Sequence, residues 1–405
     1  MEHFVVIGAG QAGQSLTAKL RTLGFDGKIT LIGEESAPPY QRPPLSKSYL
    51  LGEMELERLY LRPLEFYRDQ KIDLMLGRHV SAIDPKARQI QVNGARLAYD
   101  KLALTTGSTP RRLPDAIGGD LGGVFTVRNL ADVDAMAARF NPGNRVLIIG
   151  GGYIGLEAAA VAAKKGLQVT LIEMADRILQ RVAAPETSDF IRALHKSHKA
   201  DIRESVGLSK LLGNDAGHVI GAELTDGSVI EADFVIVGVG ITPNDALAHA
   251  AGLQIDNGIA VNEFGQTSDA HIFAAGDCAS FPYQGGRIRL ESVGNAIDQA
   301  ENAAANMLGQ SVPYQAKPWF WSDQYDMKLQ IAGLNTGYDQ IVVRQGDTPG
   351  AMSFWYLKGA RLLAVDAMND PRAYMVGKRL IEGDKSPKAT LIGDPATDLK
   401  SLLRA

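Results

Sequence analysis

One local pattern occurs twice in this chain, and a protein that carries it twice has few folds open to it. Phe4–Ile7 is a short apolar run followed at once by Gly8-Ala9-Gly10-Gln11-Ala12-Gly13. A helical pattern then runs to Leu23, a second apolar run covers Ile29–Ile32, and the acids Glu34 and Glu35 follow. The same order returns at Val146–Ile149, Gly150-Gly151-Gly152-Tyr153-Ile154-Gly155, a helical pattern to Lys165, Val169–Ile172 and Glu173. Strand, glycine turn, helix, strand, acid is the βαβ order of a dinucleotide-binding unit. The first glycine permits the tight turn, the second lets backbone approach a pyrophosphate, and the third lets helix and sheet pack closely. The free N–H groups and positive end of the helix then face the phosphates. A lone Gly-x-Gly-x-x-Gly says little; two flanking strands and a terminal acid give it weight.

With 405 residues, of which 45% are hydrophobic and 22% charged, the chain is too long for one core and ordinary in composition. Its 43 glycines cluster beside apolar runs, which suits turns and close ligand approach rather than disorder. A net charge of −4 gives no electrostatic case for nucleic acid. The single cysteine, Cys278, excludes an internal disulfide framework, a Cys-x-x-Cys redox pair and an all-cysteine iron–sulfur cluster. No apolar run approaches the roughly 18 residues of a membrane span, and the first strand begins almost at Met1 with no room for a signal peptide. A cytoplasmic protein without membrane contact is the expectation.

Further along, Asn93-Gly94 marks a hairpin, and Leu102–Thr105 reads as a strand closing on Thr106-Gly107. Val219–Leu224 and Phe234–Val239 flank Asp226-Gly227 and are predicted to pair as a hairpin. His271–Ala275 reads as a buried strand ending in Gly276-Asp277, and a helix is predicted over Val293–Leu308. From Trp319 the texture changes to short strands at Lys328–Leu334, Ile341–Arg344, Met352–Leu357 and Arg361–Ala367, then a helix near Arg372–Glu382. The fold class is therefore α/β: two Rossmann-like domains in a glutathione-reductase-like arrangement, with a small C-terminal α+β domain. The boundaries place an FAD-binding domain at 1–110 and 242–318, an NAD-binding domain at 111–241 and the last domain at 319–405.

Two such units imply two nucleotides whose reactive rings meet, with the domains facing one another across a cleft. FAD is expected on the first unit, as is usual in flavoproteins, with Glu34 and Glu35 placed for its ribose. On the second, a carboxylate at Glu173 accepts from the adenosine 2′-OH and repels a 2′-phosphate, so NADH is favoured over NADPH. Arg177 and Arg181 are the residues that could still reach a 2′-phosphate.

The Gly8–Gly13 turn, the run Tyr40-Gln41-Arg42-Pro43-Pro44-Leu45-Ser46-Lys47, the segment Gly150–Glu157, Gly238–Asn244 and Ala274-Ala275-Gly276-Asp277 together resemble the ferredoxin reductases of oxygenase systems. Apoptosis-inducing factor is similar, more distantly, in the Arg-Pro-Pro-Leu-Ser-Lys run. The resemblance implies hydride transfer from NADH to FAD, then single electrons to a [2Fe–2S] ferredoxin that feeds an oxygenase. It implies that Arg42 and Lys47 contact FAD, with Lys47 beside the flavin N5 edge and ion-paired to Glu157, making these two the candidate catalytic residues. It also implies FAD contacts at Arg128, Asp277 and Trp319, and it extends the cofactor set to Gln11, Ala12, Val80, Thr106, Gly107 and Val293. On the nicotinamide side it adds Tyr153, Ile154, Arg181 and Gly240. A mismatch at Ser292-Val293 leaves the neighbouring contacts less defined.

Cys278 reads as a small buried residue. His195 and His198, three residues apart on what reads as a polar helix, lack further ligands, so no metal is expected. Two other readings share these features: an NADH oxidase-like or apoptosis-inducing-factor-like flavoprotein, and a redox-sensing interaction protein in which turnover is incidental. The basic residues Arg289, Lys317, Lys328, Arg344, Lys358, Arg361, Lys378 and Arg379 are the candidates for docking an acidic ferredoxin.

Overall fold

The structure, a computed structural model, describes residues 1–404. They form two compact units: 1–42, 55–109 and 241–318 in one, and 43–54, 110–240 and 319–404 in the other.

In the first unit His3–Ile7 is the central strand of a five-stranded parallel sheet. The order is Ile272–Ala274, Lys101–Leu104, His3–Ile7, Lys28–Ile32, Ile72–Met75. Apolar residues fill both faces, as a sheet covered on both sides requires. Val5, Ile7, Leu102 and Leu104 belong to one core cluster, and Phe4, Val6, Leu31 and Ala103 to another that includes helix Gln11–Thr22. A separate antiparallel ribbon, Val80–Asp84, Gln89–Val92 and Ala95–Ala98, turns at Asn93 and Gly94, whose φ values of 45° and 85° are the left-handed pair such a turn needs. Asn244, where the chain has returned to this unit, donates through Nδ2 to the Thr106 carbonyl at 2.9 Å.

The second unit repeats the arrangement. Its parallel sheet runs Asp201–Glu204, Gln168–Glu173, Arg145–Ile149, Phe234–Val237, Val124–Phe125. Ile7 pairs with Ile32 and with Leu104 in the first sheet; Ile149 pairs with Ile172 and with Val237 in the second. The central strands of the two sheets therefore pair in the same register.

Phe234–Val237 lies in this parallel sheet, so it does not form the hairpin expected of it. Val219–Leu224 pairs across Asp226-Gly227 with Val229–Glu231 instead. The turn falls where its sequence places it, and the strand that completes the hairpin is a short one of three residues with both ends exposed. The C-terminal part is a five-stranded antiparallel sheet, ordered Trp319–Gln324, Met327–Gly333, Arg361–Met368, Met352–Lys358, Gln340–Gln345, with helix Pro371–Glu382 packed on it through Trp355, Val365, Tyr374 and Leu380. Its first strand, dominated by Trp319, Phe320 and Trp321, lies outside the strands expected from the sequence, which began at Lys328. No described helix is long and apolar enough to cross a membrane.

Candidate nucleotide sites and a buried ion pair

In each fingerprint the outer glycines are closed in and the middle one is open. A Cβ on Gly8, whose φ is +113°, would stand 2.1 Å from the Thr105 carbonyl oxygen, and one on Gly13 would stand 2.0 Å from that of Gly8. At Gly10 a Cβ would meet nothing within 4 Å. The second unit matches: a Cβ on Gly150 (φ +107°) would stand 2.4 Å from the Gly238 carbonyl oxygen and one on Gly155 2.2 Å from that of Gly150, while one on Gly152 would meet nothing within 4 Å. Gly10 and Gly152 are the N-caps of helices Gln11–Thr22 and Tyr153–Lys164, and neither helix start has a side-chain cap. Uncapped N–H groups beside an open backbone surface are what a pyrophosphate needs, so the residues present fit a dinucleotide at each turn.

The flanking side chains divide into those free for a nucleotide and those already committed. Gln11 Nε2 donates to Ser15 Oγ at 3.3 Å. Ala12 is buried, its methyl against Gly276, so any contact would come through its backbone N–H. Val80 is a core residue whose backbone pairs with Val92. Thr106 Oγ1 donates to the Asn244 carbonyl at 2.6 Å, and Gly107 has φ +70°. Asp277 Oδ2 accepts from Ser108 Oγ at 2.9 Å. Val293, half-buried, starts the helix capped by Ser292. Arg128 is half-buried, its N–H donating to Asp132 at 3.0 Å. Trp319 stacks on Trp321 with ring centroids 5.5 Å apart.

The acids behave differently in the two units. Glu34 is 79% exposed, with His79 Nδ1 at 3.2 Å. Glu35 is taken up by Arg42 Nη2 at 2.6 Å and Tyr40 Oη at 2.5 Å, which leaves Glu34 the more exposed of the two acids. Glu173 is half-buried and held: Oε2 accepts from Gly151 N–H at 2.7 Å and Oε1 from Ala175 N–H at 2.8 Å. Arg177 donates to Ser188 Oγ at 2.6 Å and to the Ala183 carbonyl at 2.8 Å, which ties it into its own loop. Arg181 is exposed. The side chain of Tyr153 turns inward, edge-on to Phe320, with its hydroxyl buried and unbonded, while Ile154 is 47% exposed. Gly240, φ +104°, carries a carbonyl that accepts from Arg111 N–H at 2.9 Å.

Lys47 and Glu157 meet in the second unit. Lys47 Nζ lies 2.9 Å from Glu157 Oε2, with side-chain exposures of only 17% and 7%. Two further donors, invisible in the sequence, converge on the same carboxylate: Ser46 Oγ on Oε2 at 2.9 Å and Ser322 Oγ on Oε1 at 2.7 Å. Breaking one side of such a buried pair costs about 3–5 kcal/mol, because an uncompensated charge stays behind.

Several expectations need correction. Helix Pro185–Ser197 is amphipathic, not polar throughout: Thr187, Ile191 and His195 share a buried face at a spacing of four, the signal that could have placed His195 inside. Arg344 is buried, donating to the carbonyls of Ile392, Asp394 and Thr397, and Arg289 is 9% exposed and paired with Glu291 at 2.5 Å. Neither is available to dock a partner.

Cys278 is fully buried, and burial pushes its thiol pKa up, so it offers no thiolate. A fold that repeats a nucleotide-binding sheet and keeps its one thiol out of reach is that of an oxidoreductase working with two dinucleotides. Residues 2–305 match the pyridine nucleotide-disulphide oxidoreductase family, and residues 319–403 match the family described as reductase C-terminal. The chain belongs to the pyridine nucleotide-disulphide oxidoreductase family and is an enzyme of FAD and NAD(P)H. It is 42% identical over 411 residues to the ferredoxin reductase subunit of 5,5′-dehydrodivanillate O-demethylase from a Sphingobium strain, covering all of both chains. It is 42% identical over 410 residues to putidaredoxin reductase of Pseudomonas putida, covering 100% of this chain and 97% of that protein. Among solved structures, the reductase in the covalent putidaredoxin reductase–putidaredoxin complex superimposes with a TM-score of 0.96 at 41% identity, covering 100% of this chain and 98% of that one.

Proposed function

We propose that this protein is an NADH:ferredoxin reductase that supplies single electrons to a [2Fe–2S] ferredoxin serving a mono- or dioxygenase. The observation that carries the reading is the pairing of two open pyrophosphate turns with a single, buried thiol. A relative that passes electrons through a cysteine pair needs a second thiol, and this chain has one cysteine. Bound FAD supplies the chemistry that remains, since it accepts a hydride as an electron pair and releases electrons one at a time.

The chain's own residues bind and orient. Gly10 and the first turn of its helix hold the FAD pyrophosphate, and Glu34 takes its ribose. Gly152 and Glu173 do the same for NADH. Glu173 enters the site with two backbone amides already bonded, so its remaining lone pairs point in fixed directions. Arg42 and Lys47 serve the flavin as the resemblance implies. With FAD bound, the Lys47 ammonium would supply a positive charge that favours the reduced ring, and Glu157 holds that ammonium in place. The NADH requirement points to the cytoplasm, where that cofactor is supplied. Of the basic residues considered for docking, Lys317, Lys328, Lys358, Arg361 and Arg379 are exposed.

The decisive experiment is steady-state reduction of a panel of [2Fe–2S] ferredoxins with NADH and NADPH compared. Efficient turnover of at least one ferredoxin with NADH preferred supports the proposal. Turnover of oxygen or quinone alone would favour the oxidase reading, and NADH binding without any rapid acceptor the sensor reading. Reduction should slow as salt is raised to physiological strength, where the Debye length is roughly 8 Å, while a neutral quinone is little affected.

A further inference from the structure

The Glu157 carboxylate is the end point of a longer polar path through the interior of the second unit. Ser322, which donates to Glu157, itself accepts from Gln324 Nε2 at 3.1 Å. The amide oxygen of Gln324 lies 2.8 Å from His195 Nε2, and His195 Nδ1 lies 3.2 Å from the hydroxyl of Tyr325, whose ring is stacked on that of His198 at 3.7 Å. Ser322, Gln324 and His195 are all 0% exposed. Ser322 and Gln324 share one face of strand Trp319–Gln324, the inward face, where an apolar pair would pack at no hydrogen-bonding risk.

The partners fix the direction of every link. A carboxylate only accepts, so Ser322 donates to it and must receive its own hydrogen bond from Gln324 Nε2. That turns the Gln324 oxygen toward His195, which donates from Nε2 and accepts from Tyr325 at Nδ1. All links therefore donate toward Glu157. Aligned hydrogen bonds polarise one another, and an acceptor at the end of such a path is held more firmly than by a single donor. Burial lowers the His195 pKa to about 4, which keeps the ring neutral and its Nδ1 an acceptor at neutral pH.

We propose that Tyr325, His195, Gln324 and Ser322 form a one-way hydrogen-bond path that orients the Glu157 carboxylate and, through it, the Lys47 ammonium. The four are positioning residues for that pair. The inference rests on the reading that Lys47 serves the flavin.

The test uses flavin-replete holoenzyme and reads two quantities: the flavin midpoint potential and the single-turnover rate of flavin reduction by NADH. Ser322→Ala should slow reduction roughly threefold to tenfold, the worth of one hydrogen bond, without changing the KM for NADH. It should also move the potential in the same direction as Lys47→Ala. Ser322→Thr, which keeps the hydroxyl, should restore both. In a Lys47→Ala background, Ser322→Ala should add little. Parent-like values in Ser322→Ala, failure of the threonine rescue, or an undiminished effect without Lys47 would each overturn the path. If Ser322→Ala purifies without flavin, Gln324→Met, which breaks the path at similar volume, is measured in its place. Flavin loss in both marks a purely structural role and also overturns it. A Lys47→Ala protein with parent-like potential and rate removes the role of Lys47 at the flavin and the path with it, whereas a Lys47 effect without a Ser322 or Gln324 effect removes the path alone.

Discussion

The central strands of the two Rossmann sheets pair in matching register, yet the sheets place their acids differently. Glu173 lies directly after Ile172, and the matching position after Ile32 is Gly33. A side chain there would force a shift, because a Cβ on Gly33 would come within 2.7 Å of the Ala9 methyl. The second unit has Gly151 in place of Ala9, and the space so cleared is where Glu173 reaches the Gly151 amide. In the first unit the acid moves one residue on, to Glu34 on the surface. One copy thus holds its carboxylate ready and the other lets it swing. A prosthetic group binds once, so ordering an acid around it costs little over the life of the protein. A cofactor that exchanges at every turnover gains from a site ordered in advance.

The largest effects should come from the glycines, and they can break the assignment outright. Gly8→Ala meets a carbonyl at 2.1 Å with φ at +113°, and should cost about 4 kcal/mol or more, giving little soluble protein. Gly10→Ala has room in the fold and should yield soluble protein poor in FAD. Gly152→Ala should yield yellow protein whose KM for NADH rises about tenfold, equivalent to roughly 1.4 kcal/mol. A colourless Gly152→Ala beside a yellow Gly10→Ala would exchange the two cofactors.

Next in size is acid sensitivity, which two buried groups place in the second unit. Desolvation pushes the Asp366 carboxyl up to about 6, against hydrogen bonds from Tyr356 and Thr187 that pull it down. Its fold therefore carries no penalty below the usual carboxyl range and the full penalty above about 6, so this group's contribution falls as pH rises. Burial moves His195 the other way, down to about 4, so its contribution is lost as pH falls from 6.5 to about 4. Each amounts to at most about 3 kcal/mol, and between pH 4 and 6 they oppose. Asp366→Asn should leave a thermal midpoint that climbs with pH across that window, and His195→Gln one that declines. Midpoint curves that ignore both substitutions would move the acid sensitivity elsewhere.

Glu173→Ala should weaken NADH binding by about 1.5–3 kcal/mol and narrow the gap to NADPH, since it removes a charged acceptor. Glu34→Ala should change FAD affinity by under about 1 kcal/mol, as suits an exposed group. Equal losses at the two sites, measured by titration, would erase the distinction between a held and a swinging acid. A comparably modest effect sharpens the comparison most. Gly33→Ala should destabilise by about 1–2 kcal/mol through its collision with Ala9, and Ala9→Gly should recover much of that loss in the double variant. Additive effects in a denaturation cycle would show that the two positions do not compete.

Both glycine turns and the parallel strands beside them could be anticipated, because local spacing or a contiguous run carries each one, whereas the Lys47–Glu157 pairing was implied only by the family resemblance. Other features depend on residues that meet only in three dimensions. Ser322 reaches Glu157 across 165 positions of chain, and nothing in a Trp-Phe-Trp-Ser run announces which side chains turn inward. The exclusion of a side chain at Gly33 depends on a methyl group 24 residues earlier, and that clash appears only when turn and strand are built together. Arg344 and Arg289 read as surface charge because composition alone cannot show that carbonyls or a carboxylate have claimed them.

The order of strands in the first sheet also sets a timetable for synthesis. Its edge strand, Ile272–Ala274, pairs with Lys101–Leu104, and helix Val293–Met307 shares a core cluster with residues of Gln11–Thr22. Elongating at about 5–20 residues per second, a ribosome needs on the order of 10–40 seconds to make the chain between them. Throughout that interval Lys101–Leu104 offers an unpaired edge and helix Gln11–Thr22 lacks its neighbour. The nascent N-terminal half is thus an aggregation hazard in need of shielding until about three-quarters of the protein has emerged.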